Sequence, residues 1–425
     1  MLGESIKRCR TTDALVPVLD DLLALSQSVQ DHWRRNKLST MEISSEEAHL
    51  TADTLKTTWP VLWNFLRRVL YGTISVLQEV VARCIIHPQQ RAHQLWGPMV
   101  ATKTLHILRN LFFIASQKGV NAFESYQFVQ MAALDTITLH PAACVDFLAV
   151  TKRIYQSMAT DPLDLSMDLF YLQTAEHLPL YLTPDACNTL IVVPATPYLN
   201  PAGPISQRMT ELFEAAHAAV LSVISCPANQ ALTADLVQFY IERLFAEFSA
   251  APRHISPRQF RLAFKTMIQI LSPPFPLSAT HSELAEILME MVRMRVPDAG
   301  AGDVVYHHDA PAEAPLSNQS TYVLAMIDAL PFLLPVIVEE WLTITAVCVN
   351  EIMDARLREV VKQRFCDLMT NGEMDPQRAT IALAWWGGKG GSWAVLAGTG
   401  PLLAHRHMMS GAIVDDKTDS TSAHL

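Results

Sequence analysis

The chain has 425 residues, half of them apolar and 17% charged, so it can build one extended array or two to three compact units and is too apolar for a disordered chain. Its 32 Lys and Arg against 42 Asp and Glu leave a net charge of -10. No basic run exceeds a pair such as Arg34-Arg35 or Arg67-Arg68, which argues against a nucleic-acid footprint. The seven cysteines (Cys9, Cys84, Cys144, Cys187, Cys226, Cys348, Cys366) are scattered, never form a CxxC pair, and read as reduced, partly buried small hydrophobes.

The N-terminus lacks the apolar run of a secretory signal, and its few basic residues suit only a weak amphipathic transit segment. Helical periodicity then predicts helices over 15–33, 55–86, 93–116, 124–138, 145–158 and 163–176, an N-terminal helical region spanning 1–177. A Pro-rich connection, 178–205, follows. Its best strand candidate, 189–193, is short and enclosed by Pro184, Pro194, Pro197 and Pro201, and is taken as a structured loop.

Helical hairpins are expected over 206–296. In 207–225 the residues Met209, Leu212, Phe213, Ala216, Val220 and Val223 recur at helical spacing, and 232–248 continues the pattern. Ser256-Pro257-Arg258-Gln259 predicts a capped helix starting at Pro257. Its inner stripe is Phe260, Ala263, Phe264, Met267, Ile268 and Leu271, its outer face is Arg258, Arg261, Lys265 and Gln269, and Pro273-Pro274 stops it. Thr280 with Glu283 predicts a second box near His281, turning Leu284, Ile287, Leu288 and Met291 inward and leaving Glu283, Glu286 and Glu290 as a solvated face.

The segment 297–319, rich in Ala, Pro, Asp and Gly, reads as a flexible linker. Helices over 320–330, 336–353, 356–369 and 376–386 form a C-terminal helical region, 320–386, followed by a Gly-rich loop and polar tail, 387–425. The most apolar stretch, 330–349, is broken by Pro331, Pro335 and Glu339-Glu340. No segment qualifies as transmembrane on this reading, so membrane association would be peripheral. The predicted fold is all-α, an irregular helical-hairpin stack of α-solenoid type without a fixed-period consensus.

Catalytic and metal signatures fail on spacing. Gly387-Gly388-Lys389-Gly390-Gly391-Ser392 departs from the phosphate loop because Gly390 follows the Lys, and it reads as a helix-ending loop. Ser392 misses the nucleophile elbow at Ala394. His307-His308-Asp309 and His405-Arg406-His407 lack preorganising framing and read as solvated. No cofactor or metal is expected. Trp385 and Trp386 are candidate partner anchors, although neighbouring helical positions place at most one of two in a core.

The C-terminus is sharper. Ala423-His424-Leu425 is a small, basic-capable and Leu triplet, a degenerate relative of the Ser-Lys-Leu peroxisomal address that a receptor reads as a free chain end. A carboxylate can be held by donors, Leu425 can fill an apolar pocket, Ala423 fits a tight groove and His424 can face acidic groups. The residues alone also suit a cytosolic or nuclear helical-repeat adaptor with an accidental triplet, or a peroxisomal matrix enzyme without a recognisable motif.

Two segments, LRNLFFIASQKGVNAFESYQFVQMAALD at 108–135 and SPRQFRLAFKTMIQILSPPFP at 256–276, resemble the fungal peroxin-8 family. IALAWWGGKGG at 381–391, MMSGA at 408–412 and the terminal triplet fit it in order. The resemblance implies a non-catalytic peripheral protein on the luminal, matrix side of the peroxisomal membrane. It implies a scaffold that links docking and ubiquitin-ligase subcomplexes of the import machinery and assists cargo release from the import receptor. Family members tend to be longer, and the second type of peroxisomal address some carry is only approached here, by Arg356-Leu357 with Gln363, before Arg364 breaks it.

Overall fold

The computed structural model describes residues 15–41, 46–86, 95–118, 123–153, 158–201, 206–250, 254–299 and 315–398. Among them there is no β-strand element, and the fold is all-α. The chain divides into two compact units, Met1–His254 and Ile255–Leu425, each an irregular solenoid-like stack of helices. That division falls inside the 206–296 segment.

The first unit is built on α1 (Leu15–Arg35), α2 (Thr58–Ile86), α3 (Trp96–Asn110), α4 (Glu124–Ile137), α5 (Pro141–Thr151), α6 (Pro162–Ala175), α7 (Gln207–Ile224) and α8 (Gln230–Ser249). Helix α3 packs on α1 and α4, α4 on α2, and α6 on α7. Leu105 and Leu108 of α3 are fully enclosed, each gaining about 2 kcal/mol from leaving water. Long-range polar links accompany this packing. The Tyr126 hydroxyl donates to the Leu108 carbonyl at 3.0 Å, tying α4 to α3, and Asn110 Nδ2 donates to Ser26 Oγ at 3.1 Å, tying α3 to α1.

Within the Pro-rich connection the segment 189–193, expected as a structured loop, is helical. The connection winds as short helical pieces, Pro179–Tyr181, Pro184–Cys187, the π-helical Asn188–Val192, Val193–Ala195 and Thr196–Leu199. Most of its prolines stand at first-turn positions, where the missing N–H has no helical partner to lose; Thr183 caps the turn beginning at Pro184. The apolar run Leu190-Ile191-Val192 that suggested a strand is buried in this winding.

Helix α2 departs from the sequence reading in another way. It is long and apolar enough to cross a membrane, with mean hydropathy 1.5 over its qualifying stretch, and a bent pair, Gln207–Ile224 with Pro227–Ser249, meets the same length and composition test together. One ridge of α2, including Trp63, Leu66, Leu70, Leu77 and Val80, is buried within the unit, whereas its outward face mixes Asn64, Arg68 and Ser75 with the exposed Val61, Phe65 and Tyr71.

The second unit comprises α9 (Pro257–Ile270), α10 (Leu284–Arg293), α11 (Asn318–Ala329), α12 (Pro335–Glu351), α13 (Ala355–Thr370), α14 (Pro376–Gly388) and α15 (Gly391–Leu396). The expected box at α9 forms: Ser256 Oγ accepts from the Gln259 N–H at 3.2 Å and Gln259 Oε1 from the Ser256 N–H at 2.8 Å. The box at Thr280 does not. Thr280 ends a separate turn, Leu277–Thr280, and donates back to the Leu277 carbonyl, while α10 starts at Leu284 with Glu283 as an N-cap whose side chain makes no capping bond. The face this helix buries is Ala285, Leu288, Met289 and Val292, with Ile287 47% exposed, so its packed side is offset from the expected stripe. Helix α11 begins earlier than expected because Ser317 and Ser320 form a box of their own.

Helix α11 is enclosed on every side: all residues from Gln319 to Ala329 are buried, against α9, α10, α12 and α13. Its Asp328 is therefore a carboxylate without water, and two arginines meet it. Arg261 of α9 lies at 2.7 Å and Arg364 of α13 at 2.8 Å, the latter also binding Glu373 at 2.9 Å. Burial disfavours the Arg364 charge, but hydrogen bonds to Glu373 and Asp328 hold its guanidinium above the ordinary value. Arg261, expected on an outer face, is drawn inward by this carboxylate. Asp328→Ala is expected to lower unfolding free energy by about 3 kcal/mol in urea titration, because it strands Arg261, with Asp328→Asn costing less.

In the first unit His217 of α7 is buried, its Nδ1 3.0 Å from the Tyr240 hydroxyl of α8 and its Nε2 without a partner. Burial pulls its pKa down to about 4. A base held neutral by folding takes up its proton more readily when unfolded, so its contribution is complete above about pH 6.5 and is lost as pH falls towards 4. Thermal melts from pH 7 to 4.5 should show a smaller drop in midpoint for His217→Gln than for the native chain.

Candidate functional site

The two adjacent tryptophans sit near the end of α14. Asp375 caps this helix, its Oδ1 accepting from the Gln377 N–H at 2.9 Å and the Arg378 N–H at 3.2 Å, with Pro376 in the first turn. Helical phase then separates the pair. Trp385 is fully buried, its Nε1 donating to Thr343 Oγ1 of α12 at 3.0 Å and its ring 6.0 Å from Phe365 of α13. Trp386 is half-buried and nearly parallel to Phe365, with centroids 6.1 Å apart and planes at 24°.

The Gly-rich segment expected as a loop continues α14 through Gly388, turns at Gly390 (φ 83°), and restarts as α15. Gly390 supplies the left-handed turn, and Gly391 lets α15 lie on Trp385: a Cβ there would fall 2.4 Å from the indole. Asn350 Nδ2 donates to the Ala394 carbonyl at 2.7 Å and Lys362 Nζ to the Leu396 carbonyl at 2.8 Å, fixing α15 to α12 and α13. Lys389 pairs with Glu339 at 2.5 Å.

With Ala394 and Val395 turned inward, Trp393 (66% exposed) and Leu396 (51% exposed) stand outward one helical turn apart. They form the exposed aromatic–aliphatic pair of this region, which the sequence reading passed over in favour of Trp385-Trp386; the W-x-x-L spacing after the glycines was the available signal. Ala423, His424 and Leu425 lie outside the described residues, as do His307, His308, Asp309, His405 and His407. Among the described residues no group of three or more His, Cys, Asp or Glu could hold a metal.

The first unit contains an open aromatic pocket lined by Trp33, Trp59, Trp63 and Phe113, with Glu46 and Arg208 at its edges. Trp33 stacks on Phe113 at 5.3 Å and meets Trp63 edge-on at 5.5 Å. Arg208 donates to Glu211 at 2.8 Å and to Ser116 Oγ at 3.1 Å; burial lowers its pKa and Glu211 opposes that. These rings come from α1, α2 and the turn after α3, so no local motif announced them.

A buried polar group lies beside α6. The Tyr198 hydroxyl donates to Asp168 Oδ2 at 2.5 Å and accepts from the Ala159 N–H at 3.2 Å, while Arg153 reaches the same carboxylate at 3.0 Å. Desolvation raises the Asp168 pKa against the pull of Tyr198 and Arg153. Each charge is engaged by a neighbour, so the group fixes α6 to the Thr196–Leu199 turn.

Urea titration should separate the tryptophans: Trp385→Ala should cost about 3 to 5 kcal/mol and Trp393→Ala less than about 0.5 kcal/mol.

Comparison with known proteins places two family models on this architecture. The PEX8 central TPR-like domain matches residues 144–225 and the PEX8 C-terminal domain matches 230–389, together more than half of the chain. The chain is similar to the "Peroxisomal membrane protein PEX17" of Yarrowia lipolytica, 24% identical over 348 residues, covering 74% of this chain and 50% of that protein. It is also similar to the "Peroxisomal biogenesis factor 8" of Komagataella phaffii, 22% identical over 367 residues (76% and 51%), and of Pichia angusta, 20% identical over 340 residues (76% and 50%). The chain thus spans about half the length of the curated relatives it matches. No solved structure matches.

Proposed function

The chain belongs to the PEX8 family, and from that premise we propose that it is a peroxisome biogenesis factor working by protein binding rather than catalysis. The observation that carries this reading is the match of two PEX8 models in consecutive order across residues 144–389. On this proposal the helical body is a peripheral scaffold on the matrix side of the peroxisomal membrane. It links the docking and ubiquitin-ligase complexes of the import machinery and assists cargo release from the import receptor. Ala423, His424 and Leu425 bind the receptor for C-terminal peroxisomal signals. Trp393, Trp386 and Leu396 offer a surface for protein partners, with Trp385 supporting it from the core.

Proximity labelling of the full-length protein beside its Leu425 deletion tests the reading. The intact protein should label peroxisomal import components, and a reporter carrying the last dozen residues should become peroxisomal only with Leu425 present. A reporter indifferent to Leu425 would remove the address from the proposal; labelling confined to cytosolic or nuclear proteins would overturn the biogenesis role.

A further inference from the structure

Two of the buried cysteines are neighbours in space although 39 positions separate them in the chain. Cys187 closes the turn Pro184–Cys187, and Cys226 follows the C-cap of α7. Both thiols donate to one oxygen, the Pro179 carbonyl, Cys187 Sγ at 3.7 Å and Cys226 Sγ at 3.6 Å. Two sulfurs this close to one oxygen are near neighbours, and bridging them needs the thiols to turn from the carbonyl towards each other. The side chains are 0% and 3% exposed, so competing external thiols have little access.

The surroundings hold the pair in place while keeping the Cys187 thiol mostly protonated, so oxidation runs through a minor thiolate population. Burial raises the Cys187 thiol pKa, a side-chain hydrogen bond from Asn229 opposes that rise, and Cys226 adds to it. Asn229 is itself fully buried and its Nδ2 also donates to the Val223 carbonyl, which fixes its position beside the pair. The Pro179 carbonyl would keep a partner after both thiol donors were lost, because the Leu182 N–H also donates to it at 3.4 Å.

We propose that Cys187 and Cys226 are a dithiol pair that forms a reversible disulfide, with a peroxide as oxidant. The Cys187 thiolate attacks one peroxide oxygen, the O–O bond breaks, and after protonation of the leaving oxygen the products are a Cys187 sulfenic acid and water or an alcohol. The Cys226 thiolate then attacks the Cys187 sulfur, the S–O bond breaks, and the oxygen leaves as water after protonation. Overall two thiols and one peroxide give one disulfide, with two electrons passing to the peroxide oxygens. The bond would staple the helical winding of 184–199 to the end of α7, in the segment matched by the central TPR-like model. This inference is independent of the proposed import role.

The test is peptide mapping of the purified full-length protein after graded hydrogen peroxide, followed by alkylation without reductant. The expected result is a Cys187–Cys226 linked peptide that dithiothreitol abolishes, with a reversible rise in thermal midpoint of about 5 °C or more. Cys226→Ser should instead leave Cys187 trapped as a sulfenic acid by dimedone. Recovery of both thiols fully alkylated at doses that oxidise exposed methionines would overturn the proposal, as would pairing of either thiol with another cysteine.

Discussion

A carboxylate inside a helix that has no solvent face is the constraint on which the Ile255–Leu425 unit depends. Helix α11 is buried from Gln319 to Ala329, so Asp328 must find its counter-charges within the protein. Arg261 and Arg364 supply them from α9 and α13, tying both helices to α11 at one point. An apolar stripe alone would tolerate sliding by part of a turn, because one methylene contact resembles another. Two guanidinium groups converging on one carboxylate allow far less freedom. A fully apolar replacement could be as stable, so the role of the ion cluster is better described as orientation than as added strength.

The first unit spreads the same task over more groups. Asn110 with Ser26, Tyr126 with the Leu108 carbonyl, and Asp168 with Tyr198 and Arg153 each join segments distant in the chain or cross a helix pair. Each such bond contributes about 1 kcal/mol net, less than the apolar burial around it, yet leaving any partner unmade would cost more than that. Polar groups in these stacks thus select among packings that the apolar faces would all permit.

This division of labour explains which features were legible in the sequence. Helix existence, the all-α class, the inner stripe of α7 and the start of α9 depend on local spacing and capping, and residues such as Ser256, Pro257 and Gln259 carry that signal themselves. Thr280 and Glu283 have the same local form, but the preceding prolines favour a separate turn, and α10 starts later with its packed side offset from the expected stripe. The helical winding over 179–199 is hard to read because proline commonly breaks helices, whereas these prolines mostly occupy first turns. Arg261 looked solvent-facing on its own helix and is turned inward by a residue 67 positions away.

The candidate surfaces were harder to read for the same reason. An aromatic residue is a core filler or a binding anchor according to the neighbours it meets, and adjacent Trp385 and Trp386 fall on opposite sides of that distinction by about 100° of helical rotation. Trp393 is exposed because Gly390 and Gly391 let the chain reverse tightly against Trp385, which leaves Ala394 and Val395 buried and Trp393 outward. The glycines that looked like a failed phosphate loop therefore have a packing role: they close the core over one tryptophan and by doing so present another. In a helical stack such turns determine which residues face outward.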